Sequence, residues 1–218
     1  IITVMKLIKK IKIIINIYLV LIILIYLNNY FYKKEDCISI GLGGGYSGFW
    51  YFYGYFKSNY LLDKKIYCYS SGCLAIIANI QHNNYNSLLS SVKKIKNKYD
   101  KNLIDRFEVK NRIIKELANK ITNINNYDIN ILTSNFYGYC NIVRPTTNDE
   151  LINALNMTSN IPYITTKLNL SQNIDGIFCL NKYPICSQRI DEPFTPYFIL
   201  NIFNPNLELK DVKYFMNY

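Results

Sequence analysis

Between Ile66 and Ile77 the chain reads Ile-Tyr-Cys-Tyr-Ser-Ser-Gly-Cys-Leu-Ala-Ile-Ile, passing from a β-like run into an apolar helical run with no linker between them. A strand that feeds a helix directly through a tight turn belongs to a strand-helix-strand unit rather than to a hairpin. Ser70 sits on that turn, with Gly72 two positions behind it. A serine there has its hydroxyl pushed out of the fold and a backbone N–H at a helix start, the arrangement that acyl transfer requires.

The same alternation extends along the chain. Strands are predicted near Cys37–Gly41, Ile66–Tyr69, Ile129–Ser134 and Cys140–Val143. Helices are predicted over about Gly48–Lys57, Gly72–Ile80, Asn86–Tyr99 and Arg112–Lys120, and another opens at Thr147-Asn-Asp-Glu with capping and acidic residues in its first turn. The expected fold class is α/β, with a mainly parallel central sheet and ligands at the carboxyl ends of its strands. The apolar run Tyr197–Phe203 is left open between a last strand and a lipid-facing edge.

The 218 residues are enough for one domain with a sizeable core, and half of them are hydrophobic, which excludes a disordered chain. From Ile13 to Leu27 the chain is apolar except for Asn16, with Lys6, Lys9, Lys10 and Lys12 before it and Tyr26, Tyr30, Phe31 and Tyr32 at its end. About 20 apolar residues cross a bilayer, so residues 11–31 are expected to form a single transmembrane anchor. No small-x-small cleavage pattern precedes Cys37, which favours an uncleaved anchor over a secretory signal. The expected organisation is a basic tail and anchor over 1–35 and an enzyme-like domain over 36–218. The lysine bias places the amino terminus in the cytosol, and the side of the membrane stays open.

Net charge is +10, with ten basic residues from Lys93 to Lys120 against Asp100, Asp105, Glu108 and Glu116. Because the signs are interleaved, solvated helix faces are the first reading and a lipid-headgroup patch the second. No nucleic-acid-binding motif accompanies the charge. Cys37, Cys68, Cys73, Cys140, Cys179 and Cys186 show no metal-ligand spacing, so no metal is expected and they are read as buried free thiols.

Gly43-Gly-Gly-Tyr-Ser-Gly48 follows a strand and precedes a helix, as G-x-G-x-x-G does in dinucleotide-binding folds. That reading needs an acidic residue ending the second strand. Asp63 lies before the strand, and Ser70 stands at its end. In a hydrolase the N–H groups of Gly44 and Gly45 would instead bind the oxyanion formed on attack. His82, the one histidine, follows Ser70 by twelve residues and precedes the candidate aspartate, out of order for a Ser-Asp-His triad. Asp175, in Asn173-Ile-Asp-Gly176, can itself be the base if it reaches the hydroxyl, and Gly176 allows the turn that would aim it.

In this order, the glycine loop, the Ser70-Ser-Gly72 elbow and Asp175-Gly176 resemble a patatin-like phospholipase domain. The stretch Asp149–Pro162 is similar to the helix and Ser-x-x-Ile-Pro turn of that family, and Asn181 and Pro184 follow as an asparagine and a proline do there. The resemblance covers about Ile38 to Pro184. It implies a three-layer fold and a Ser-Asp dyad acting on membrane glycerolipids, with Ser70 as nucleophile and Asp175 as proton acceptor. It further implies an oxyanion hole built from Gly43, Gly44, Gly45, Gly48 and Ser71, and neither metal nor cofactor. Three positions depart from the pattern. Ser47 replaces a basic residue, Cys68 replaces the first glycine of G-x-S-x-G, and Ile177 replaces a small residue. The expected function is a membrane-anchored serine lipid acyl hydrolase; the alternative is a catalytically weak or silent lipid-binding protein.

Overall fold

Three parallel strands linked by helices form the frame that carries Ser70. The structure is a computed structural model that describes residues 34–218 apart from 42–43, 60, 82–84, 120, 163, 168–172, 180–184, 203 and 205. The predicted anchor at 11–31, Gly43, His82, Asn181 and Pro184 lie outside the described residues. Among the described residues no helix is long and apolar enough to cross a membrane. Ser70 and Asp175 both belong to one compact unit, Asp36–Tyr218.

The strands are β1 (Glu35–Ile40), β2 (Ile66–Cys68), β3 (Ile129–Ser134), β4 (Cys140–Val143), β5 (Ile174–Asp175) and β6 (Cys186–Ile190). The helices are α1 (Gly45–Ser58), α2 (Ser70–Gln81), α3 (Tyr85–Asp100), α4 (Arg106–Ala118), α5 (Asn148–Thr158), α6 (Pro196–Asn201) and α7 (Leu209–Asn217). The main path of the sheet is β4-β3-β2-β1-β6. β1, β2 and β3 are parallel, and β4 and β5 pair with β3 antiparallel. The protein is thus α/β with a mainly parallel mixed sheet.

One register detail sets the site. β2 pairs with β3 as far as Cys68 opposite Ile131, while β5 pairs with Thr133 and Ser134. β4 already takes the other edge of β3 at Thr133 and Ser134. A strand has two edges, so β5 must continue the β2 side, in the slot vacated where β2 turns into α2. Asp175 therefore stands immediately ahead of the elbow.

Alternation along the strands builds two cores. Ile38, Ile40, Ile66, Cys68, Ile129 and Ile131 join the large cluster that includes Phe52, Ile76, Ile114 and Leu155 from the helices. Cys37, Tyr67, Leu132 and Cys186 form a smaller cluster with Tyr69, on the opposite face. α4 begins at Arg106 rather than Arg112, because Asp105 accepts from Phe107 N and Glu108 N and Glu108 reaches back in a capping box. The run from Tyr197 starts as a helix rather than a strand: Thr195 caps it, with Pro196 at its first position.

The free-thiol expectation is corrected. Cys37 bonds Cys186, Cys68 bonds Cys73 and Cys140 bonds Cys179, and none remains free. The physical reason is the fold's proximity: the sharp β2–α2 turn brings the Cα atoms of Cys68 and Cys73 to 5.1 Å, and β6 beside β1 brings those of Cys37 and Cys186 to 4.8 Å.

Candidate active site

Ser70 has φ of +50°, in the left-handed region, as the first residue of α2. A non-glycine residue there is held against a strain of about 1–3 kcal/mol, so neighbouring bonds must over-determine it. They do: the Ser70 N–H donates to Thr158 Oγ1 at 2.9 Å, and the Thr158 hydroxyl donates to Leu132 O at 2.6 Å. Behind the turn, a Cβ on Gly72 would come within 2.5 Å of Ile40 Cγ2, so α2 crosses β1 closely only with glycine there. The Cys68–Cys73 bond ties the end of β2 to the first turn of α2 across the serine.

Asp175 reaches the same point from β5. Its N–H donates to Asn160 O at 3.1 Å, and Asn160 Nδ2 donates to Asn173 O at 2.8 Å, so the turn after α5 holds the strand. Gly176 packs under Tyr69, where a Cβ would meet Leu132 O at 2.4 Å. The Asp175 carboxyl is 0% exposed, and Oδ1 accepts from Ile177 N at 3.0 Å. Oδ2 has no partner of ordinary hydrogen-bond geometry, yet the Ser70 hydroxyl is close enough to stabilise the carboxylate. Ser70 and Asp175 are thus neighbours without a closed hydrogen bond between them. Burial pushes the Asp175 carboxyl up to about 6, against the pull of Ser70, the Ile177 N–H and Lys110.

Ser70 and Ser71 line a cavity of about 380 Å³. Its walls are mostly apolar stripes at helical spacing: Phe49 and Trp50 from α1, Val92 and Ile95 from α3, Ile113 from α4, and Ile161 and Ile164 after α5. Lys96 and Lys110 are the charged residues of the lining. Lys96 pairs with Asp100 at 2.6 Å, while Lys110 is half-buried, donates to Asn156 O at 3.3 Å and is lowered to about 8 by desolvation. Part of the basic region thus turns inward, which interleaved signs alone did not reveal. A larger, open depression of 620 Å³ around Tyr99, Asp105 and Glu108 contains neither Ser70 nor Asp175.

The glycine loop divides its N–H groups unevenly. Gly44 N donates to Glu192 Oε2 at 2.8 Å, and Gly48 N donates to Gly44 O as a helical bond. Both N–H groups are thus already committed within the protein, a correction to their place in the predicted hole. Gly45 lines the cavity, and its N–H has no acceptor among the described residues, nor does that of Ser71. Two helix N-termini, of α1 and α2, therefore offer the donors an oxyanion needs. Thr158, Asn160, Glu192 and Lys110 are the residues that sequence reading did not single out. Thr158 and Asn160 lie inside the Asp149–Pro162 stretch, so their place in the chain was a signal.

Among the described residues no group of three or more His, Cys, Asp or Glu side chains is arranged to hold a metal ion. No family model matches the chain, and no curated protein matches it.

Proposed function

We propose that the protein is a serine lipid acyl hydrolase cleaving carboxylic esters of glycerolipids through a Ser70–Asp175 dyad. The observation that carries this reading is the buried Asp175 carboxyl beside a Ser70 that has a left-handed backbone and lines an apolar cavity. Asp175 takes the Ser70 proton as Oγ attacks the acyl carbonyl. The oxyanion lies between the N–H groups of Gly45 and Ser71, each worth roughly 3 kcal/mol in the transition state. On collapse Asp175 returns the proton to the leaving alkoxide; it then takes a proton from the water that attacks the acyl-enzyme and passes it to Ser70 Oγ as the acid is released.

A cavity of 380 Å³ suits one acyl chain better than two, since drug-sized sites start near roughly 300 Å³. The resemblance to patatin-like phospholipases agrees with this geometry, and a three-layer arrangement is supported by the two core clusters on opposite sheet faces. An anchor at 11–31 would hold the domain at its bilayer substrate at high effective concentration. Three disulfides favour an oxidising compartment, hence the non-cytosolic side of that membrane.

A dinucleotide is disfavoured, because the α1 N-terminus has Gly44 N and Tyr46 N already bonded to Glu192 and Ile202. The second reading, a silent lipid-binding protein, is favoured by that same use of Gly44 N, which leaves one loop donor fewer. Incubating the full chain with vesicles of phospholipids and micelles of acylglycerols separates the two. The enzyme releases fatty acid and loses this with Ser70→Ala; binding without release from any substrate contradicts the proposal.

A further inference from the structure

Glu192 is a carboxylate where burial is expensive. It is 9% exposed, lies two residues beyond β6, and reaches across 148 residues to accept the Gly44 N–H at 2.8 Å. The Ser47 hydroxyl, in the first turn of α1, donates to Phe198 O at 3.2 Å and lies near enough to Glu192 to favour its ionised form. Oε1 has no hydrogen-bond partner among the described residues, and burial raises the carboxyl's pKa. Such a group costs stability unless its bonds hold something that matters.

Glu192 holds the first of three consecutive peptides, the one that carries the Gly44 N–H. The next peptide has its carbonyl, Gly44 O, bonded to Gly48 N at 3.1 Å, and the third has Tyr46 N bonded to Ile202 O at 2.8 Å. In a planar trans peptide the N–H points opposite to the carbonyl, so Gly44 O directed along α1 aims the Gly45 N–H away from the helix. Gly45 lines the cavity with φ of +60°, and a Cβ on it would lie 1.9 Å from Ile202 O, so the loop has no slack. Of these three contacts, only the one to Glu192 comes from a side chain.

We propose that Glu192 is a positioning residue: by gripping the Gly44 N–H it fixes the glycine loop so that the Gly45 N–H is presented as an oxyanion donor. The inference rests on reading Ser70 as an acyl-transfer nucleophile. It makes Glu192 part of the transition-state machinery without any contact with substrate.

The test compares the full chain with Glu192→Gln and Glu192→Ala on a water-soluble short-chain nitrophenyl ester, with melting curves and amide hydrogen exchange at Gly44. Glutamine keeps an acceptor oxygen and should retain kcat within about threefold. Alanine should lose about 10²-fold in kcat with KM little changed, and lose protection of the Gly44 amide, at a temperature where both variants are folded. If alanine does not fold, the near-isosteric Glu192→Met replaces it. An active wild type with an equally active or faster Glu192→Ala overturns the role of Glu192 alone. A wild type that neither turns over the ester nor takes a fluorophosphonate label removes the nucleophile reading, and the role of Glu192 with it.

Discussion

Asp175 lies fully buried beside Ser70 with Oδ1 committed to the Ile177 N–H and Oδ2 left without a partner of ordinary geometry. One oxygen anchors the group, and under the proposed dyad the other takes the proton. The folded pKa, about 6, exceeds the usual value of 3.8, so the ionised carboxylate opposes folding above about pH 6 and has little effect below about 4. Asp175→Asn keeps the acceptor for Ile177 and removes the charge. It should stabilise the protein by roughly 1–3 kcal/mol at pH 7.5, by much less at pH 4, and abolish ester hydrolysis. Thermal melts at the two pH values with a turnover assay check this.

The same raised carboxyl predicts the pH profile. A carboxylate base works only when ionised, so with Asp175 in that proposed role kcat/KM on a soluble ester should rise through an apparent pKa near 6 and then level. Lys110 contributes a positive charge that favours the carboxylate. Lys110→Met should move the acid limb to higher pH, and an unmoved limb would remove Lys110 from the electrostatics of the site.

Thr158 is a small residue with a large expected effect. Thr158→Val keeps the shape but leaves the buried Ser70 N–H without its acceptor, at a cost of about 1–3 kcal/mol. A denaturant titration should show that loss, and turnover should fall as the strained serine relaxes. Thr158→Ser, which keeps the hydroxyl, should recover most of both.

How much of this was legible in the chain differs from residue to residue. The order strand, glycine loop, strand, elbow, helix was readable because β-like and helical periodicities meet at Ser70 without a linker. Asp175 was readable as a candidate, but its slot beyond β2 depends on β4 occupying the opposite edge of β3, a long-range pairing with no local signature. The cysteines misled for a related reason. Cys68 and Cys73 flank a turn whose sharpness decides whether they meet, and Cys37 and Cys186 meet only because β6 joins the sheet edge beside β1. Glu192 sits in a stretch whose pattern names no partner, and only the fold brings it to Gly44.

The bond between Cys68 and Cys73 should act on catalysis more than on global stability. It closes a short loop, for which chain entropy gives roughly 2 kcal/mol, yet it clamps both sides of Ser70. Replacing both cysteines with alanine should lower the melting temperature modestly and lower kcat more than it raises KM. Calorimetry beside steady-state kinetics measures the split, and unchanged kcat would show that the hydrogen bonds of Thr158 hold the elbow unaided.

The central claim is that the Ser70 hydroxyl is a nucleophile activated by Asp175. Reaction of the folded full chain with a fluorophosphonate, followed by mass mapping of the adduct, tests it most directly. The account predicts a single adduct on Ser70, formed at least about 10³-fold more slowly in Asp175→Asn and absent in Ser70→Ala. Labelling that leaves Ser70 untouched, or that proceeds at the wild-type rate in Asp175→Asn, would contradict it.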